Sequence, residues 1–198
     1  MQKKLTKKEE TRIRMLDAAG RSFRSHGYAG IGVDGIAKAA GVTSGAFYAH
    51  FGPKDAAFSA ALTKGLDEVI EGIPAFQHKY GGDWLKAFAE YYLGKAHRQN
   101  LDCGCAMSTL TPEVVRSKDQ LHDEYEKKMS VIASLMAEGL ASQSKIDCRE
   151  RAWAVLGILI GGLNMARAMK NHRSAEEVAN AVKIAVVKVA GRTKTKKE

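Results

Sequence analysis

Long apolar runs are missing from this chain of 198 residues. The longest, Ala152–Leu163 with an extension through Asn164 to Ala166, falls short of the ~18–20 residues a membrane-spanning helix needs. The opening Met-Gln-Lys-Lys-Leu-Thr-Lys-Lys has no apolar core, so no secretory signal is expected and the expected location is cytoplasmic. Cysteine is scarce and odd in number: Cys103, Cys105 and Cys148 do not make a structural disulfide framework. With three prolines, long uninterrupted helices are favoured. Disorder is excluded by a composition of 45% hydrophobic and 27% charged residues. The length fits one domain, or a small module joined to a larger one.

Catalytic signatures are also absent. There is no phosphate loop, nucleophile elbow, paired zinc spacing or glycine-rich cofactor loop. Cys103-Gly104-Cys105 supplies two thiols, but Cys148, His97 and His122 stand in no zinc-ligand spacing. No catalytic residue, metal or cofactor is therefore expected.

What the sequence does have is positive charge, and it is unevenly placed. Residues 1–54 hold ten Lys/Arg against four Asp/Glu, a net +6. Residues 55–187 hold sixteen against seventeen, a net −1, and residues 188–198 five against one, a net +4. A neutral body with basic ends is the electrostatic footprint of a polyanion-binding protein, with nucleic acid the first choice.

Nearly every segment reads as helix, and the fold class is all-α. Thr6-Lys-Lys-Glu9 is a capping box, followed by Ile13, Leu16, Gly20 and Phe23 on one expected buried face that ends near His26-Gly27. Val33–Ala40 is a short helix, and Gly41-Val42-Thr43 a tight break. Thr43 is placed to cap a further short helix, Ser44–His50, and Gly52-Pro53 opens the next. Asp83 is expected to cap a helix to about Asn100. Ser117 opens another to about Ala141, Asp147 one to about residue 170, and Ser174 one that stops at Gly191.

Two short helices joined by Gly41-Val42-Thr43 have the layout of a helix-turn-helix, whose second helix enters the major groove. Thr43, Ser44, Tyr48 and His50 offer hydrogen bonds to phosphates and base edges, while Gly45 and Ala46 keep that helix slim. Lys54 adds charge at the start of the following helix, where backbone N–H groups also suit a phosphate. Phe47 and Phe51, four apart, share a face assigned to the core.

The string Gly27-Tyr28, Val33-x-x-Ile36-Ala37-x-x-Ala40-Gly41-Val42-Thr43, Gly45-x-Phe47-Tyr48-x-His50-Phe51-x-x-Lys54 resembles the TetR family of bacterial transcriptional regulators over about residues 10–58. The resemblance implies an N-terminal three-helix DNA-binding domain, residues 1–54, and a C-terminal helical domain for effector binding and dimerisation, residues 55–198. It implies a homodimeric repressor on a palindromic double-stranded operator, released by a small-molecule inducer of unknown identity. By the same resemblance Thr43, Ser44, Gly45 and Ala49 face base edges, and Tyr48, His50 and Lys54 hold phosphates. The chain departs from the family at Ile31-Gly32, where a hydroxyl pair is common, and at Ser44, where Lys or Arg is common. Lys3, Lys4, Lys7 and Lys8 are expected to supply compensating charge.

The apolar helix 147–170, with Gly157 and Gly161 four apart, and the amphipathic helix 174–190 resemble the family's dimerising pair. Trp84, Phe88, Tyr91, Tyr92, Met107, Met129 and Trp153 are the expected ligand-pocket side chains. Cys103 and Cys105 form a candidate thiol sensor in a flexible, polar break, although Asp102 beside them would raise a thiol's pKa. Two alternatives stand beside this reading: a thiol-dependent redox enzyme, and an architectural DNA-binding protein without sequence preference.

Overall fold

The computed structural model of the chain describes residues 5–194. Eleven helices are present among them: α1 (Lys7–His26), α2 (Val33–Ala39), α3 (Ser44–Phe51), α4 (Lys54–Tyr80), α5 (Trp84–Tyr92), α6 (Lys95–Gln99), α7 (Ala106–Thr109), α8 (Thr111–Val115), α9 (Asp119–Glu138), α10 (Lys145–Ala168) and α11 (His172–Ala190). A 3-10 turn, Gly81–Asp83, precedes α5. The described residues form no strand; an isolated antiparallel bridge pairs Leu140 with Thr193. None of these helices is long and apolar enough to cross a membrane.

The chain divides into two compact units. The first comprises the residues up to Gly65 together with Leu101–His122; the second comprises Leu66–Asn100 together with the residues from Asp123 onward.

In the first unit, α1 opens with the expected capping box. The Glu9 N–H donates to Thr6 Oγ1 at 3.3 Å, and the Thr6 N–H donates to Glu9 Oε2 at 2.7 Å. The buried stripe of α1 includes the expected Gly20 and Phe23 but otherwise differs: Met15, Ala18, Ala19 and Ser22 face inward, while Ile13 is 44% exposed and Leu16 half-buried. Helices α1 and α2 are in contact within this unit. Ile36, Ala37, Ala40, Phe47, Phe51, Ala57, Phe58 and Leu62 complete this core. The 101–122 segment packs on the same unit. Arg24 Nε donates to the Asp102 carbonyl at 2.7 Å, and the Tyr28 N–H to Glu113 Oε1 at 3.2 Å. A Cβ on Gly65 would lie 2.6 Å from that of Ala106, so glycine permits the close approach of α4 to α7.

In the second unit α10 and α11 pack along their length. Their contact is close at Gly162, where an added Cβ would fall 2.5 Å from both methyls of Val182. Several helix boundaries differ from the sequence reading. The helix expected over 83–100 breaks after Tyr92, because Arg98 Nη1 takes the Leu93 carbonyl at 2.9 Å and Gly94 restarts the chain as α6. Asp83 makes no side-chain cap there. Ser117 donates to the Val114 carbonyl at 2.6 Å, closing α8 rather than opening α9. Ser144, not Asp147, caps α10, accepting from the Asp147 N–H at 3.2 Å. Asn171 caps α11 by accepting from the Arg173 N–H at 2.8 Å, ahead of Ser174.

Candidate nucleic-acid interface

The turn between α2 and α3 needs a residue that tolerates positive φ, and Gly41 supplies it at +66°. Thr43 follows in extended conformation, and its Oγ1 accepts from the Ala46 N–H at 3.2 Å. That cap satisfies one of the orphan N–H groups at the start of α3, which a short helix can least afford to leave unmade. Phe47 and Phe51 are buried on one face with ring centroids 5.5 Å apart, as their spacing requires. The opposite face carries Gly45, Tyr48 and Ala49, all exposed. A Cβ on Gly45 would meet only Thr43 Oγ1, at 3.9 Å, so that face is slim and open.

Two arginines of α1 hold the ends of this module. Arg14 Nε donates to the Ala40 carbonyl at 3.0 Å, at the C-cap of α2. Arg12 Nη1 donates to the His50 carbonyl at 2.5 Å in the last turn of α3. Both place a cation at a helix C-terminus, where the macrodipole favours it. Sequence periodicity could not single out these arginines, because the carbonyls they reach lie 26 and 38 residues away.

Lys54 is the start of α4. Its Nζ donates to the Tyr28 carbonyl at 2.5 Å and lies 4.2 Å from the Tyr28 ring centroid. The Tyr28 ring packs against Phe58 with centroids 5.4 Å apart, and its hydroxyl donates to Asp55 Oδ1. That carboxylate, reinforced by partial burial, pushes the Tyr28 pKa up to about 12. Ser44, the first residue of α3, donates its hydroxyl to Asp34 Oδ1 in the first turn of α2.

The structure thus brings Thr43, Ser44, Gly45, Tyr48, Ala49 and His50 onto one short helix, with Lys54 immediately after it. Tyr48 is 55% exposed, and His50, whose backbone carbonyl accepts from Arg12, is half-buried. Lys7 and Lys8 are exposed in the first turn of α1, while Lys3 and Lys4 lie outside the described residues. Of the side chains named for a ligand pocket, Phe88 and Tyr92 stack with ring centroids 5.8 Å apart. Trp84, Phe88, Tyr92 and Met129 are buried in the second unit, with Trp84 Nε1 donating to the Gly139 carbonyl at 3.1 Å. Tyr91 is exposed and Trp153 is 40% exposed, while Met107 is buried in the first unit. Cys103 is exposed in the turn before α7, Cys105 is its N-cap, and Cys148 is buried. Among the described residues no group of three or more His, Cys, Asp or Glu is arranged to hold a metal ion.

Comparison with known proteins agrees with this layout. Residues 15–61 match the family model for bacterial regulatory proteins of the tetR family. The chain is 39% identical over 82 residues to the HTH-type transcriptional regulator AcrR of Shigella flexneri; that match takes in 41% of this chain but 38% of the regulator's length. It is 24% identical over 136 residues to the HTH-type transcriptional repressor SCO4008 of Streptomyces coelicolor, covering 69% of this chain and 70% of that one. The fold resembles the reduced form of NemR from E. coli with a TM-score of 0.75, at 16% identity, over 92% of this chain and 98% of that one. Helical architecture, capped motif and matched segment agree: residues 15–61 form a DNA-binding module of the tetR-family type, carried on a chain whose fold resembles solved regulators of that kind.

Proposed function

We propose that the protein is a sequence-specific DNA-binding transcriptional regulator, and in the first instance a repressor, with no enzymatic activity of its own. The observation that carries this reading is α3 itself. It is a short helix, capped by Thr43 and braced by Arg12, with its aromatic face buried and its small, polar face open. A helix of that form fits the major groove with its N-terminal residues toward the bases. Thr43, Ser44, Gly45 and Ala49 take the base edges. Tyr48, His50 and Lys54 take phosphates, because the Lys54 ammonium keeps donors beyond the one given to Tyr28. Residues 1–54 form the DNA-binding part, and residues 55–198 the part for dimerisation and effector binding.

A homodimer supplies the two-fold symmetry that a palindromic operator requires. The unpartnered faces of α10 and α11 support it. Trp153, Gly157, Gly161 and Met165 form an exposed stripe on α10, with Ile184 and Val187 exposed on α11. An added Cβ at Gly157 or Gly161 meets nothing within 4 Å, which leaves room for a second backbone there. A small-molecule inducer would act through the second unit, where Trp84, Phe88, Tyr92 and Met129 are the nearest candidates for contact. A thiol-reactive inducer is the second reading. It is favoured by the exposure of Cys103 next to Asp102, whose carbonyl holds Arg24 of α1.

Selection of binding sites from a randomised DNA pool, with thiols reduced and at physiological salt, tests the proposal. An enriched palindrome supports a dimeric sequence-specific regulator. Binding without an enriched motif points to an architectural protein, and no binding overturns the DNA-binding reading. On the selected site, alkylation of the thiols should lower affinity if the second reading of the inducer holds.

A further inference from the structure

Ser44 stands at the first position of α3, and its hydroxyl hydrogen is already taken. It donates to Asp34 Oδ1, and an ionised carboxylate has no proton to return. A serine hydroxyl has one hydrogen and two acceptor lone pairs. With the hydrogen held by Asp34, only lone pairs remain to meet a ligand. Thr43 has the opposite polarity. Its Oγ1 accepts from the Ala46 N–H, which leaves its O–H to donate outward. Two adjacent hydroxyls at the N-terminus of α3 therefore present unlike faces, a donor at Thr43 and an acceptor at Ser44.

We infer that Asp34 makes Ser44 an acceptor-only reader, so that one position of each half-site is restricted to a base carrying an exocyclic amino group. In the major groove those groups are adenine N6 and cytosine N4; guanine and thymine show acceptors in their place. This rests on the DNA-binding reading of α3 and goes beyond it by naming the chemistry that one residue selects and the residue that sets it. Asp34 does not touch the base in this scheme. It is a positioning residue that acts through Ser44. Its own charge would weaken binding to any DNA by about the same factor, because phosphate repulsion carries no sequence information.

The test is site selection with the full-length protein, as wild type, Ser44→Ala and Asp34→Ala, followed by titration of each against the selected site and its single-base variants. Wild type should prefer adenine or cytosine at one position per half-site by ~3–10-fold, the range of one net hydrogen bond. Ser44→Ala should lose the preference at that position and keep it at the others. Asp34→Ala frees the Ser44 hydrogen to donate, so thymine or guanine becomes acceptable there, while affinity for all sites rises together. Base preference at one position is a readout that mere support of the helix would not move. An unchanged preference in Asp34→Ala overturns the inference while leaving the regulator reading intact. So does a wild-type motif with no amino-base position sensitive to Ser44→Ala, a variant that carries the test even if Asp34→Ala fails to fold. A wild-type protein that enriches no motif overturns both.

Discussion

The guanidinium of Arg12 lies 4.5 Å from the centroid of the Phe51 ring. The same side chain donates to the carbonyl of His50. One residue of α1 thus covers the core aromatic of α3 and satisfies a carbonyl in its last turn. Arg12→Ala should lower unfolding free energy by about 1–2 kcal/mol, from one net hydrogen bond and one exposed cation–π contact. Denaturant melts will measure this. Arg12→Lys should recover only part, because an ammonium lacks the planar face that stacks on Phe51. Operator affinity should fall along with stability in both variants.

Glycines of α10 that look alike in sequence should behave in opposite ways. Gly162→Val drives a side chain into Val182, 2.5 Å from the nearest methyl even for a bare Cβ. It should cost about 1–3 kcal/mol as an overpacked core site. Gly161→Glu enters open space, so the protomer should melt as wild type does. On the proposed dimer, however, it places a charge in an apolar interface. Sedimentation should show monomers for Gly161→Glu at concentrations where the wild type is dimeric.

His97 should make the second unit sensitive to acid. Its ring lies 4.8 Å from that of Tyr91 and 5.6 Å from that of Tyr92, by centroids. Burial holds its pKa below the usual 6.5, and the nearby Arg167 charge adds to this against the hydrogen bond to the Tyr91 carbonyl. A depressed folded-state pKa means that the neutral ring contributes stability fully above 6.5 and loses it as pH falls toward the folded value. Tm should therefore decline below pH 6.5, and His97→Gln should flatten the decline. A wild-type Tm that holds constant from pH 7 to 5 would remove His97 from this role.

The basic arm gives a prediction read in salt. Replacing Lys3, Lys4, Lys7 and Lys8 by Gln should reduce the slope of log affinity against log salt by up to ~0.9 for each phosphate that is no longer neutralised. Base preferences should persist, since phosphate contacts position without specifying. An unchanged slope would show that the arm does not touch the backbone of the DNA.

Much of this was legible in the sequence, but not all of it. Phe47 and Phe51 could be assigned to the core because a helix repeats every 3.6 residues and both are apolar. The Thr6 and Thr43 caps could be read because each satisfies an N–H only three residues away. Ile13 could not be placed, since it and Met15 are both apolar, yet Met15 is buried and Ile13 is 44% exposed. The break after Tyr92 rests on a near neighbour, while the end of α6 is held by a remote one. Arg98 takes the Leu93 carbonyl and Arg167 takes that of His97, the latter from 70 residues away. Asp34 and Ser44 lie ten residues apart on different helices, and only the turn at Gly41 brings them together. Local patterns report local partners, and whatever depends on a distant donor stays out of view.

The cations of the first unit have one more consequence. Arg12, Arg14 and Lys54 already hold the carbonyls of His50, Ala40 and Tyr28, so part of the charge of residues 1–54 is engaged internally before any polyanion arrives. The ordering entropy of α3 is then settled in the unliganded protein. Calorimetry of DNA binding should accordingly show the heat-capacity change of two preformed surfaces meeting, without the larger negative value that accompanies a segment folding as it binds.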